Sequence, residues 1–380
     1  MKKYDIIIIG GGPAGSTSGK VLADSGENCL IIDKDNFPRD KLCGGMITEK
    51  TMELIKKIYS DVDDKDFIDS SYDTFGISNA NNERICECSH VSKRMYFVNR
   101  ITFDDYLFNK AKESGCKILT GKRVLGIKKQ SNEFIITLET GEKFVSRILV
   151  GADGANSVVR KNFYFPENKN DYTIAIETEI KYADTSFFDD KKILPEIFVG
   201  VLNNGYGWIF PKKEKVIVGI GGPVSKNSNN IRETFVDFLD KITNKEFPEL
   251  EIKGFPVPFH NFVKTPAKDN VLLVGDAAGF VEAITGEGIY FAIKSGRLAA
   301  EAIISNGDIV ENYNRSTQKD VIKFLKQSHF VKKFFFHKVL LSYELRKMKN
   351  NNKYAKYYFE LLLGDIDYWG YFKKVIFNKK

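Results

Sequence analysis

Apolar and polar positions change their period several times along this chain, and each change predicts an element. Tyr4–Gly10 reads Tyr-Asp-Ile-Ile-Ile-Ile-Gly, the unbroken apolar run of a strand buried on both faces. Pro13–Ser25 reads as a helix and Asn28–Asp33 as a second apolar strand, so the chain opens with a βαβ unit. A loop rich in charge and glycine covers 34–47, and a helix runs from Thr48 to about Tyr59. Residues 72–98 alternate as strands. Thr102–Ser114 is helical, with Phe103, Tyr106, Leu107 and Ala111 on one face. A short strand at Cys116–Leu119 precedes hairpin-like strands at 122–130, 133–139 and 142–150.

From about 172 to 260 the period is mostly two, with one helix near 231–243. Strands 196–202, 206–210 and 215–221 are separated by Asn203-Asn204-Gly205 and Lys212-Lys213-Glu214, both turn signals. The α/β pattern resumes at Val271–Val274 and a long helix from about Glu287 to Asn306. In the tail, Val331, Phe334, Phe335 and Val339 recur at helix spacing, with Lys332, Lys333 and Lys338 set off from that face. Tyr354, Tyr357, Tyr358, Leu361 and Leu362 repeat the pattern after a polar break at Asn350-Asn351-Asn352. The expected class is α/β: a discontinuous Rossmann-type domain (1–71, 99–171 and 263–310), an inserted β-rich domain (72–98 and 172–262) and a helical C-terminal cap (311–380).

Composition is that of an ordinary globular protein, 43% hydrophobic and 28% charged. Charge placement is not ordinary. Residues 326–380 hold 13 Lys or Arg against four Asp or Glu, a net of +9, whereas the whole chain carries +7. The same tail holds 14 aromatic residues. This face is either solvated or touches an anionic membrane or an acidic redox partner. No nucleic-acid motif accompanies it. No apolar run approaches the roughly 18 residues of a bilayer span. Cys29, Cys43, Cys86, Cys88 and Cys116 are an odd set, and Met1 leads almost directly into a strand. The expectation is free thiols in a reducing, cytoplasmic setting, peripheral to a membrane if the tail makes that contact. Cys86 and Cys88 lack the second pair that a zinc site requires, so no metal is expected.

Chemistry is concentrated in three glycine-bearing turns. Gly10-x-Gly12-x-x-Gly15 lies between strand and helix: Gly10 permits the turn, Gly12 lets the backbone approach a pyrophosphate, and Gly15 lets helix and strand pack. Pro13 and Ala14 belong to the same turn, whose helix N-terminus offers N–H groups to phosphates. Asp33, followed by Lys34, stands 18 residues after Gly15, where a ribose-binding acid is expected. Asp153-Gly154 follows the apolar run 148–152, and Gly275-Asp276-Ala277-Ala278-Gly279 follows 271–274. Gly286, Gly288 and Ile289 then open the long helix, whose N–H groups would stabilise negative charge on a bound group. One such turn suggests a dinucleotide; the three in this order indicate FAD held in an extended conformation.

With these motifs together, residues 1–310 resemble the para-hydroxybenzoate-hydroxylase-like flavoprotein superfamily. Two segments resemble its geranylgeranyl reductase family: Pro38-Arg39-Asp40-Lys41-Leu42-Cys43-Gly44-Gly45, and Tyr206-Gly207-Trp208-Ile209-Phe210-Pro211, which matches the family's Tyr-x-Trp-x-Phe-Pro signature. The resemblance implies tightly bound, non-covalent FAD, with Arg100 at its phosphates, Val124 at its adenine and Asp276 near its ribityl chain. It also implies hydride transfer from reduced flavin to carbon–carbon double bonds of a polyprenyl chain. Tyr206, Trp208 and Phe210 share one strand face, which walls an apolar pocket beside the flavin or packs on core. Cys43 is a candidate proton donor or redox gate, or a packed thiol. Glu287 is an acid beside the ring or a charge favouring its helix. His90, His260, His329 and His337 fall in none of these motifs.

A single GxGxxG leaves no second nucleotide domain, so the electron donor would be transient: NAD(P)H, or a reduced ferredoxin-like or flavodoxin-like carrier received by Lys332, Lys333 and Lys338. Three activities compete. They are reduction of an isoprenoid chain, flavin-dependent monooxygenation or halogenation, and quinone reduction. The iron–sulfur quinone type is disfavoured, because no cysteine follows residue 300.

Overall fold

Ile6–Ile9 has no exposed face, so both sides of this strand must be covered. The computed structural model describes residues 1–60, 62–90, 93–164, 172–184, 193–227, 230–243, 250–258 and 262–377; His260 lies outside them. Ile6–Ile9 sits inside a six-stranded sheet in the order 267–268, 271–273, 148–151, 6–9, 29–32, 117–119, parallel except for the hairpin at 267–273. Helix α1 (Pro13–Asp24) follows the central strand, with Pro13 in its first turn, where the missing N–H costs nothing. Helices α2 (Glu49–Ile58), α3 (Arg100–Glu113) and α4 (Val158–Phe163) complete this part. A three-stranded sheet joins Met46–Thr48, Met95–Val98 and Ile68–Tyr72, so the loop expected over 34–47 ends in a strand.

The run 142–150 is not one strand. It divides at the exposed Arg147, whose guanidinium binds Asp5 at 2.6 Å. Lys143–Ser146 joins a four-stranded sheet with 2–3, 124–130 and 133–138, whereas Ile148–Gly151 enters the parallel sheet. Period alone does not register a change of sheet.

Seven strands form the second large sheet, in the order 253–257, 173–181, 215–223, 206–211, 196–199, 74–79, 84–89. The one-turn helix α5 (Val224–Asn227) leads to α6 (Ile231–Thr243). Phe235, Phe238, Leu239 and Ile242 of α6 bury one sheet face with Val216, Val218 and Ile220. On the opposite face stand Phe75, Ile77, Ile197, Trp208, Phe210 and Ile217.

Helix α7 (Ile289–Ile304) lies across α1, so close that a Cβ on Gly296 would stand 2.3 Å from the Ala14 carbonyl oxygen. Then come α8 (Ile309–Thr317), a π-helical segment at Gln318–Ile322, α9 (Lys323–Phe335), α10 (Lys338–Asn350), α11 (Asn352–Leu362) and α12 (Tyr368–Phe377). Asn351 caps α11, its side chain accepting the Lys353 N–H. Phe359, Tyr368 and Tyr371 are fully buried against the second sheet. At about 1.5–3 kcal/mol for a buried phenylalanine, this cap is part of the core rather than an appendage.

The tail periodicity holds over 354–362 and fails over 331–339. The helix stops at Phe336-His337, so Val331 is buried while Phe334 and Val339 are 45% and 71% exposed. Lys332, expected on the solvated side, is 9% exposed. Burial pushes its ammonium down to about 8, against the opposing charge of Glu282. No helix among the described residues is long and apolar enough to cross a membrane.

Candidate functional site

The first glycine turn is built by backbone contact. Gly10 has φ +103, and a Cβ there would lie 2.4 Å from the Ala152 carbonyl oxygen; one on Gly15 would lie 1.9 Å from that of Gly10. A Cβ on Gly12 would meet only Arg39 Nη2, at 3.4 Å, so this side of the turn is open. No side chain caps α1 and no acid lies in its first turn, which leaves its N-terminus available to an anion. The Asp33 carboxylate accepts the Gly11 N–H at 2.6 Å and the Asp35 N–H at 2.8 Å, which ties the second strand to the turn. Lys34 is exposed. Val124 is buried at the start of its strand.

Positive charge accumulates above the turn. Asp104, fully buried, receives Arg100 through two bonds of 2.7 Å and Arg39 at 3.1 Å, so one carboxylate serves two guanidiniums. Arg100 is the first residue of α3 rather than two residues ahead of the helix, because Asn99 takes the cap. It is a buried ion-pair partner, not a solvated arginine. Lys41 lies nearby. Burial pushes its ammonium down to about 8, Asp276 opposes this, and Arg100 and Arg39 add to it. Asp276 is the second residue of a short turn, Gly275–Ala278, after the 271–273 strand, with its Oδ1 3.5 Å from where a Gly288 Cβ would be. Burial raises its carboxyl, and Lys41 and Arg100 counter that. These cations and the open side of Gly12 suit the phosphates of FAD.

The other glycine motifs divide their work. Gly154 has φ +75 with nothing near its Cβ direction, whereas the Asp153 carboxylate is spent on Ser157 Oγ (2.5 Å) and the Val158 N–H (2.6 Å) at the start of α4. Gly275 has φ +53 and its N–H meets Ser295 Oγ at 2.9 Å. Gly286 (φ +75), Gly288 and Ile289 lead into α7, which again has no side-chain cap. Glu287 pairs with Lys50 at 2.6 Å and accepts Thr48 Oγ1 at 3.1 Å, so its charge is held by α2 and the residue before it.

Cys43, Gly44 and Gly45 pack between the seven-stranded sheet and the three-stranded one. A Cβ on Gly44 would stand 2.6 Å from the Phe210 ring and 3.6 Å from Trp208 Nε1. Gly45 (φ +76) faces the Val98 carbonyl oxygen, to which Lys212 Nζ donates at 3.0 Å. Its own N–H reaches Cys43 Sγ at 3.3 Å. Lys212, read from sequence as a turn residue, is 5% exposed, and burial lowers its ammonium. Glu177, also buried, is pushed up to about 7, with Lys212 and the Cys43 N–H opposing. Cys43 also lies close enough to Arg100 to feel its charge.

Tyr206, Trp208 and Phe210 do share one face, with ring centroids 5.9 and 6.1 Å apart. Trp208 lies over Gly219, where a Cβ would be 2.3 Å from its ring; Glu177 is paired to Gly219 on the next strand. Trp208 is 7% exposed and its indole N–H has no partner, whereas the Tyr206 hydroxyl donates to the Thr285 carbonyl oxygen at 2.5 Å. This leaves one unmatched donor where the sheet meets the Cys43–Gly45 loop, open to an acceptor on a bound group. Beside these rings an apolar cavity opens between the sheet (Ile197, Val199) and the cap (Leu341, Leu345, Met348, Tyr358). Ile197 and Val199 are the strand partners of Trp208 and Tyr206. Glu344 also lines it, pushed up to about 7 by burial, with Tyr371 and Lys347 opposing.

Sequence reasoning missed Arg39, Lys41, Asp104, Glu177, Lys212 and Glu282. The last is buried, accepting Thr285 N–H and Oγ1 and, at 2.6 Å, the Tyr368 hydroxyl, which locks α12 to the loop ahead of α7. Asp104, four residues after Arg100, had a local signal, and Arg39 and Lys41 stand in the 38–45 segment singled out from sequence, though no role was given to them there. Among the described residues no cluster of His, Cys, Asp or Glu could hold a metal, and burial pushes the Cys86 thiol up to about 11. His90, His329 and His337 stand outside the site.

The FAD-binding-domain family model matches residues 3–306. The chain is 36% identical over 351 residues to an uncharacterized protein of Methanosarcina barkeri, covering 91% of this chain and 87% of that protein. It is 31% identical over 331 residues to the chloroplastic geranylgeranyl diphosphate reductase of Arabidopsis thaliana, covering 80% of this chain and 66% of that one. Among solved structures, a geranylgeranyl bacteriochlorophyll reductase-like protein from Thermoplasma acidophilum superposes with a TM-score of 0.78 at 22% identity, covering 92% and 91%.

Proposed function

Because the chain belongs to the geranylgeranyl reductase family of FAD-dependent oxidoreductases, we propose that it saturates carbon–carbon double bonds of a polyprenyl chain. The observation that carries this reading is the apolar face of Tyr206, Trp208 and Phe210 against the Cys43-Gly44-Gly45 loop, with a small apolar cavity beside it. FAD, when bound and reduced, would supply the hydride. Arg39, Lys41 and Arg100 would hold its phosphates beside the open side of Gly12, and Asp33 would hold its ribose. Tyr206, Trp208 and Phe210 orient the alkene and exclude water. Cys43 Sγ carries the proton for the second alkene carbon, with Glu177 behind its amide. The electron donor docks transiently, as NAD(P)H or a ferredoxin-like or flavodoxin-like protein. The setting is cytoplasmic, with membrane contact confined to the periphery. Relatives named as reductases do not favour the monooxygenase or halogenase alternative.

The test is anaerobic reoxidation of dithionite-reduced protein by a panel of polyprenyl compounds, with mass spectrometry of the products. Two hydrogen atoms should be gained per bond reduced. Oxygen or halogen incorporation on admitting air and halide, with no saturation in its absence, would overturn the reading.

A further inference from the structure

Six of the eleven exposed large apolar side chains among the described residues lie within the C-terminal cap: Phe330, Phe334, Val339, Leu340, Tyr343 and Trp369. Three form one patch, with Phe330 centred 5.5 Å from Phe334 and 6.0 Å from Trp369. The others stand on the first turns of α10, which begins two residues after α9 ends. Lys326 and Lys333 of α9 and Lys338 and Arg346 of α10 are exposed around them. From Val321 to Tyr343 the chain contains no acidic residue, and Glu344, the next one, lines the cavity. On α9 and α10 large apolar groups stand among cations with no exposed carboxylate between them, and Asp365 and Asp367 are the exposed acids ahead of Trp369. Such a surface suits the headgroup layer of an anionic bilayer. An acidic protein partner would use the charge and leave the aromatic groups unexplained.

The patch is continuous with the cavity through one helix. Val339, Leu340 and Tyr343 of α10 face outward, while Leu341, Leu345 and Met348 of the same helix line the apolar space beside Ile197 and Val199. We propose that α9, α10 and α12 seat the protein on an anionic membrane surface, and that α10 stands between the bilayer and the cavity where an isoprenoid chain enters. The entry route rests on the proposed function; the seating does not.

The chain has two tryptophans, Trp208 at 7% and Trp369 at 46% exposure, so lipid quenching reports on Trp369. Holoprotein is titrated with vesicles of phosphatidylcholine, with and without about one-third phosphatidylglycerol, and with bromine-labelled lipid. Expected are binding to the anionic vesicles, loss of that binding at high salt, and quenching of the exposed tryptophan. Phe334→Ser/Leu340→Ser and Lys333→Glu/Lys338→Glu should each weaken binding by about tenfold or more, with flavin content unchanged. Turnover of vesicle-dissolved substrate should fall in both variants while that of detergent-dispersed substrate is kept. Equal binding to both vesicle types, unchanged binding of the variants, or capture of an acidic carrier protein with no vesicle binding would each overturn the proposal. Vesicle binding without alkene reduction would instead sink the proposed function and leave the seating intact.

Discussion

The turn at 10–15 and the loop at 43–45 both depend on glycine, but different neighbours enforce it. Gly10 and Gly15 are pressed by main-chain oxygens, of Ala152 and of Gly10 itself. Gly44 is pressed by the side chains of Phe210 and Trp208, more than 160 residues away in sequence. Main chain cannot yield; a ring can turn. Gly15→Ala should therefore be the more damaging change, costing about 3 kcal/mol or more and emptying the protein of flavin. Gly44→Ala should cost about 1 kcal/mol, keep its flavin and slow turnover, because Phe210 moves aside. Thermal melts and the flavin absorbance of purified protein compare the two. Equal damage at both positions would erase the distinction.

The same difference explains what the sequence disclosed. The phosphate turn is local: Gly10, Gly12, Gly15 and Asp33 lie within 24 residues, and strand–turn–helix physics dictates their types. The βαβ opening, the aromatic strand face and the polar break at Asn350-Asn351-Asn352 were legible for that reason. The environment of Cys43 draws on Arg100, Glu177 and Lys212, which only the packing of the three-stranded sheet and α3 on the seven-stranded sheet brings together. Lys212 looked like a turn residue because it is one; its side chain simply folds inward to Val98. Lys332 misled similarly, since helical periodicity read straight through the break at Phe336 assigns it to the solvated side. Buried charge is a tertiary property and leaves little trace in local patterning.

A second contrast concerns proton binding, since the loop environment titrates near neutrality. Glu177 is raised from its ordinary 4.5 to about 7 by burial, so between those values the folded protein keeps a proton that the unfolded chain has released. Its contribution is complete below 4.5, declines as pH rises and is gone above about 7. The ceiling is roughly 3 kcal/mol. Glu344 acts with the same sign in the same window. Glu177→Gln should therefore remove about half of the decline in Tm between these pH values, and Glu177→Gln/Glu344→Gln most of it. An undiminished slope in the double variant would place the proton elsewhere.

The smallest expected effect separates packing from recognition at Trp208. An unpaired buried N–H costs the folded state about 1–3 kcal/mol, and Trp208→Phe relieves that cost. The smaller ring also leaves space over Gly219 and Gly221, which returns a penalty of similar size. The two oppose, so Tm should shift by no more than a few degrees. Catalysis need not share this balance. If the indole donates to a bound guest, the variant loses about 1 kcal/mol of that contact, or several-fold in kcat/KM. Phe210, which has no donor, offers the control: Phe210→Leu should lower Tm and kcat/KM together. A Trp208→Phe enzyme with a lowered Tm and unaltered turnover would make the indole a packing group, and the face above Gly44 would then be core rather than wall.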